Sequence, residues 1–205
     1  QALIPGTGIL EIAAEALRAQ GEGGAFELRD LYFFRPLDVA EGEARQVRAT
    51  LTRTDEGYGF ELRSGVSLKG RVGWQLHAQA RAMPLAARAA KIDVLAIAGR
   101  LPTAEVGVGL RSPQEQHLAF GPRWRVLQSR ALGGSEGLAR LGLPAEFAGE
   151  AGAWLLHPAL MDLATGWAMG LIEGYRPDHL WVPVSYATIR VLRPVPAEIV
   201  SWVRS

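Results

Sequence analysis

The chain has 205 residues, 48% of them hydrophobic, with 22 basic and 21 acidic residues and a formal net charge of +1. That length suits one large domain or two small ones, and the balanced charge leaves no stripe for nucleic acid and no patch for a membrane surface. There is no cysteine, which excludes disulfides, zinc ribbons and thiol catalysis and fits a reducing cytoplasm. No apolar run reaches transmembrane length, because Pro, Gly and charge interrupt each one. The opening QALIPGTGILE lacks the basic start of a signal peptide and a starting Met, so the chain reads as a piece of something longer.

Pro5 to Ala19 reads as a helix, with Ile9, Leu10, Ile12, Ala13, Ala16 and Leu17 on an apolar face and Glu11, Glu15 and Arg18 opposite. Gly21, Gly23 and Gly24 stop it. Strands are expected over 26–39, broken at Pro36, and over 45–54 and 58–64 across an Asp55-Glu56-Gly57 turn. Residues 72–82 alternate, with Trp74, Leu76, Ala78 and Ala80 on one face and Gln75, His77, Gln79 and Arg81 on the other. The alternation stops over 83–91, the best linker, and a short helix is expected over 92–100. Strands follow at 124–131 and 136–143 across Gly133-Gly134-Ser135, then a long helix from Pro158 to about Glu173, then strands at 180–192 and 199–204. Each half thus has one apolar helix among antiparallel strands, without a visible sequence repeat.

The helix at Pro158 carries the most informative residue. From Trp154 to Ile172 the chain holds one carboxylate, Asp162. A helix this apolar belongs in a core, where an unpaired charge costs several kcal/mol, so Asp162 has a partner or stays protonated. A carboxyl kept neutral by apolar surroundings is what a general acid needs at neutral pH; the alternative is a buried structural carboxylate. His157 is a poor partner for it, because five helical positions place the two side chains about 140° apart. His157, with Pro158, reads as a structural residue at the helix entry. His77 falls on the polar face of its strand, His117 precedes a turn and His179 lies in a polar one. No pair of histidines has metal-ligand spacing, so no metal site is expected, nor is there a Ser/His/Asp signature or a phosphate loop.

Four segments, in order, resemble the dehydratase domains of modular polyketide synthases. LIPGTGILEIAAEAL (3–17) is similar to the start of that family's first central helix. FGPRW (120–124) resembles its Tyr-Gly-Pro-x-Phe motif, HPALMD (157–162) its His-Pro-x-x-x-Asp motif, and VPVS (182–185) its Leu-Pro-x-Ser segment. The resemblance implies an α+β double hotdog, each antiparallel sheet wrapping a central helix, incomplete here at both ends. Residues 1–82 would be the first hotdog, 83–91 the linker and 92–205 the second. It also implies catalysis by Asp162 as acid together with a His from a His-x-x-x-Gly-x-x-x-x-Pro motif. If Pro5 is that motif's proline, its His and Gly fall ahead of Gln1.

By the same resemblance the activity is dehydration of a β-hydroxyacyl thioester to an α,β-unsaturated thioester. The domain has no cofactor of its own; the substrate rides the phosphopantetheine arm of an acyl carrier protein, beside neighbouring synthase domains. A homodimer is a further expectation. Substrate contacts are expected from Gly6 and Gly8, where the helix start offers backbone N–H groups and close approach, or else forms an ordinary helix entry. Others are expected from Leu118, Phe120, Trp124 and Gly166; Phe120 and Trp124 read equally as core aromatics. Arg123 reads as a solvated charge, or as a contact for the carrier protein. The chain departs from the family pattern at Leu118 and Phe120, which lack a tyrosine hydroxyl. It departs again at Gly166, where the family has Gln or His one turn beyond the acid. Gly166 suggests open space beside Asp162, in which a Gln would be tolerated. Leu118, Phe120 and Gly166 together remove polar or bulky groups, which suggests room for a variant activity, ring closure by addition of a hydroxyl to the new double bond, or equally for a larger substrate. A non-catalytic scaffold or acyl-binding double hotdog is the reading from another class.

Overall fold

The computed structural model describes residues 2–86, 89–107 and 110–205. The chain divides into two compact units, Gln1–Ala89 with Val182–Pro194, and Ala90–Trp181 with Val195–Ser205.

Unit 1 opens with β1 (Ala2–Ile4) and α1 (Gly6–Ala19). Pro5 caps the helix in an extended conformation, and its carbonyl accepts from the Gly8 N–H at 2.9 Å. The strands β2 (Phe26–Phe33), β3 (Leu37–Val39), β4 (Val47–Thr54), β5 (Gly57–Leu68) and β6 (Arg71–Pro84) follow. β5 and β6 are longer than expected because Lys69 and Gly70 close a two-residue hairpin, both at positive φ (51° and 77°), the conformation that matches strand twist. β1 pairs with β3, and a second antiparallel sheet runs β10-β2-β6-β5-β4, with β10 spanning Ser185–Val191. Ile9, Leu10, Ala13, Ala14 and Leu17 of α1 are buried, as are Leu28, Phe60 and Leu62 of the sheet. Glu11, expected on the outer face of α1, is only 3% exposed.

Unit 2 contains α2 (Val94–Gly99), capped by the Asp93 carboxylate, and β7 (Glu105–Val106), β8 (Leu127–Leu132) and β9 (Glu136–Gly142). Then come α3 (Pro158–Gly166) and β11 (Glu198–Arg204). Its antiparallel sheet runs β11-β9-β8-β7. α3 supplies Ala159, Leu160 and Leu163 to a core shared with Val126 and Leu141.

Four expectations are corrected. The helix expected to reach Glu173 ends at Gly166, followed by a single 3-10 turn at Met169–Leu171. Trp167 is buried there, its indole N–H donates to Ser201 Oγ at 3.0 Å, and that hydroxyl donates to the Ala164 carbonyl at 2.8 Å. A carbonyl that a longer helix would have used internally is thus taken by β11. The linker begins later than residue 83, because Met83 and Pro84 pair with β2; its residues 87 and 88 lie outside the described residues. Residues 182–194, assigned by chain order to the second half, belong to unit 1. There β10 pairs with β2, and Glu27, 2% exposed in side chain, bonds both Arg29 and Arg190.

The fourth correction is His77. Ala78 pairs with Leu62 and Leu76 with Arg63, so His77 is the extra residue of a bulge in β6. The bulge turns it inward to 1% exposure, where one ring nitrogen lies 2.7 Å from Ser64 Oγ and the other 3.2 Å from the Arg35 carbonyl. Replacing it leaves the buried Ser64 hydroxyl without its ring partner. His77→Leu is expected to cost about 1–3 kcal/mol, read as a lower urea midpoint; an unchanged midpoint would show the pair to be energetically idle.

Candidate active site

Asp162 lies in the second turn of α3, partly buried, next in sequence to the core residue Leu163. One donor reaches it: the Trp124 indole N–H, 3.0 Å from Oδ2. Trp124 ends a 3-10 turn, Pro122–Trp124, in which Pro122 sets the first position and the Trp124 N–H closes onto the Gly121 carbonyl at 3.0 Å. The FGPRW segment is thereby a turn, where a strand was expected to begin at Trp124. Phe120 stacks on Trp124 with ring centroids 6.2 Å apart and planes 25° apart, and both rings pack against the core of unit 2.

Burial pushes the Asp162 carboxyl above the usual aspartate range, and the Trp124 hydrogen bond works against that shift. Asp162 therefore has a partner, and burial moves its titration upward all the same. A neutral N–H donor stabilises a carboxylate less than a cation does.

The other expected residues are placed as follows. His157 is the N-cap of α3 and 3% exposed, without a side-chain bond to the helix. Its Nε2 is 3.6 Å from Glu150 Oε2, too long for a hydrogen bond, and Trp154 meets its ring edge-on at 6.0 Å. Arg123 is no free charge. It holds Glu150 through three contacts of 2.8 to 3.1 Å and lies over the Phe147 ring at 4.4 Å. Glu150 belongs to the 3-10 segment Ala145–Ala153 that leads into α3, so this pair ties the FGPRW turn to the helix entry. Leu118 is half-buried, its N–H on the Gln114 carbonyl at 3.0 Å. His117 bonds the Pro177 carbonyl at 2.8 Å, and His179 pairs with Asp178 on the surface.

Two expectations about glycines change. A Cβ on Gly6 would lie 3.1 Å from Phe33 and 3.4 Å from Pro183, and one on Gly8 would lie 3.1 Å from Ile4. These glycines make room for the protein's own side chains, and the Gly8 N–H is used by Pro5, so close packing explains them. Gly166 is buried, and a Cβ there would meet Gln114 Oε1 at 3.3 Å. The space expected to be open is filled by a side chain that sequence reasoning passed over, and with it goes the Gly166 part of the argument for room to close a ring. Nothing in the sequence ties residue 114 to residue 166; only the fold does.

Among the described residues no group of three or more His, Asp or Glu is placed to hold a metal ion, and no helix is long and apolar enough to cross a membrane.

Comparison with known proteins gives the family. The family model described as polyketide synthase dehydratase domain matches residues 1–65, and the polyketide synthase dehydratase N-terminal domain model matches residues 111–205. The chain belongs to the polyketide synthase dehydratase family, and its fold is the double hotdog. It is 31% identical over 187 residues, 90% of its length, to mycoketide-CoA synthase of Mycobacterium tuberculosis. It is 24% identical over 220 residues, all of its length, to polyketide synthase PksM of Bacillus subtilis. It spans only 4% and 5% of those two proteins. The dehydratase domain from the CurK module of curacin polyketide synthase superposes with a TM-score of 0.82 at 24% identity, over 99% of this chain and 72% of that one. Structures of that CurK domain include a His-to-Phe and an Asp-to-Asn substitution, each described as an inactive mutant.

Two outcomes test the electrostatics. Trp124→Phe removes the donor that opposes the upward shift, so the Asp162 carboxyl should titrate at still higher pH, as followed by carboxyl-carbon NMR. A downward move would show that the indole is not its partner in solution. The second concerns stability. A folded pKa above the unfolded one means that stability is fully present below about pH 4, the unfolded aspartate value, and falls as pH rises through the folded pKa. Asp162→Asn should therefore raise the unfolding midpoint at pH 7, with the advantage shrinking as pH falls from the folded pKa toward about 4. An advantage independent of pH would place its origin elsewhere.

Proposed function

We propose that the chain dehydrates a β-hydroxyacyl thioester to an α,β-unsaturated thioester in polyketide biosynthesis, with Asp162 as general acid. The observation that carries this reading is the partly buried Asp162 carboxyl, raised in pKa by burial and held by one neutral donor, at the position of the family's catalytic aspartate. The Asp162 carboxyl gives its proton to the β-hydroxyl, the carbon–oxygen bond breaks and water leaves. A base takes the Cα proton, and the electrons of that bond form the double bond. Asp162 ends as carboxylate and the base ends protonated, so solvent exchange resets both.

The base is the histidine of the family motif, which the match of Pro5 puts ahead of Gln1. The histidines at hand support that choice. His77 has both ring nitrogens engaged inside unit 1, His157 lies at the helix cap beside Glu150, and His117 and His179 are held at the surface. In the CurK domain the inactive His and Asp mutants point to such a pair.

The substrate arrives on the phosphopantetheine of an acyl carrier protein, with neighbouring synthase domains as the standing partners and a cytoplasmic site of action. No cofactor is needed, because the reaction moves a proton and a hydroxide and leaves the electron count unchanged. Leu118, Phe120 and Trp124 line the acyl path beside Asp162.

In the full polypeptide that carries this chain, Asp162→Asn should lower water loss from a carrier-bound β-hydroxyacyl substrate at least about a hundredfold, with the circular dichroism spectrum unchanged. Mass spectrometry showing undiminished water loss would remove Asp162 from the mechanism.

A further inference from the structure

Gly166 follows Asp162 by one turn on the same face of α3, so a Cβ at 166 would stand about 5–6 Å from that of Asp162. At that point the structure places a carboxamide from another element. The 3-10 turn Pro113–Gln116 presents Gln114, whose Oε1 would be 3.3 Å, Cδ 3.6 Å and Nε2 3.7 Å from that Cβ. The turn is firmly built. Ser112 and Glu115 cap it reciprocally, the Gln114 N–H reaching Ser112 Oγ at 3.3 Å and the Ser112 N–H reaching Glu115 Oε1 at 3.1 Å. Arg111 and Arg125 both hold the Glu115 carboxylate. Gln114 itself is 8% exposed, and its Nε2 donates to the Trp181 carbonyl at 3.4 Å.

That bond fixes which end of the amide is nitrogen and leaves the oxygen nearest Gly166. A buried carboxamide is a costly filler, since Met fills the same volume without desolvating polar atoms. The polarity at this spot therefore calls for a use beyond packing.

We propose that Gln114 is a positioning residue for the dehydration: its carboxamide oxygen accepts the hydrogen of the substrate's β-hydroxyl, turning a lone pair of that oxygen toward Asp162. This rests on the proposed function. The hydroxyl donates to Gln114 and accepts from Asp162, so both of its polar valences are used before the carbon–oxygen bond breaks. Gly166 is the complement of Gln114: a side chain at 166 and the amide from 114 compete for one space.

The test uses three variants in the full polypeptide, with steady-state water loss over a range of concentrations of a carrier-bound β-hydroxyacyl substrate, and melting curves. Gln114→Met keeps the volume and removes the amide; kcat is expected to fall about tenfold while KM stays nearly constant. Gly166→Gln alone crowds Gln114 and is expected to lower both the melting temperature and kcat. The double variant Gln114→Ala with Gly166→Gln returns an amide to the same space from α3 and is expected to recover most of the lost kcat. A structural prop for Trp181 would not be repaired that way. Unchanged kcat in Gln114→Met, or a folded double variant without recovery, overturns the proposal. Should the double variant not fold, the kcat and KM of Gln114→Met decide alone. Asp162→Asn run alongside separates the two levels: water loss that survives it sinks the dehydratase reading, whereas an inert Gln114 beside an essential Asp162 sinks this inference only.

Discussion

The site depends on a single unequal contact, a carboxyl withdrawn from water and answered by one uncharged N–H. The chain itself shows what a cation would have done. Glu136 accepts from Arg100 and also from the Trp202 indole, and its carboxyl is held down to about 2. Asp178, beside Arg176, is likewise held at about 2. Asp162 is withdrawn from water, has the indole without an arginine, and burial drives its shift the other way. An indole alone orients a carboxyl without cancelling the upward pull of burial, whereas a guanidinium beside the same group would favour the anion. The guanidinium on the FGPRW turn, Arg123, is engaged by Glu150.

That contact has to be supported from both sides. On one side the turn carrying Trp124 is anchored through Arg123 to the segment that leads into α3, and Phe120 stacks on the indole. On the other, the end of α3 is tied to β11 through Trp167, Ser201 and the Ala164 carbonyl. A Cβ on Gly137 of β9 would come within 2.7 Å of the Trp167 ring, so the sheet itself is shaped around that anchor.

Local signals in the sequence carried a good deal. The helix after Pro5, the strand runs and the isolated carboxylate of HPALMD are periodicity and composition within one segment, and the fold follows them. What escaped was set by pairing between distant segments. His77 obeys the alternation of its strand on paper, and only a bulge against β5 turns it inward. β10 follows the second half in sequence, yet its hydrogen bonds go to β2, with the Glu27–Arg190 pair across 163 positions. The helix at Pro158 is apolar past Gly166, but a tertiary bond from Ser201 ends it, and propensity does not foresee that.

Gly166 shows why a motif copied position by position misleads. The pattern says that a polar side chain is missing one turn beyond the acid, and as a statement about position 166 that is correct. As a statement about space it is wrong, because the carboxamide of Gln114 stands where such a side chain would begin. Chemistry at a site is set by which atoms occupy a volume, and a rigid turn delivers an amide there as well as a helix does. The glycine is then a consequence of the supply route. With Gln114 arriving from outside the helix, a Cβ at 166 would stand 3.3 Å from its oxygen, so two positions fifty-two apart in the chain share one space.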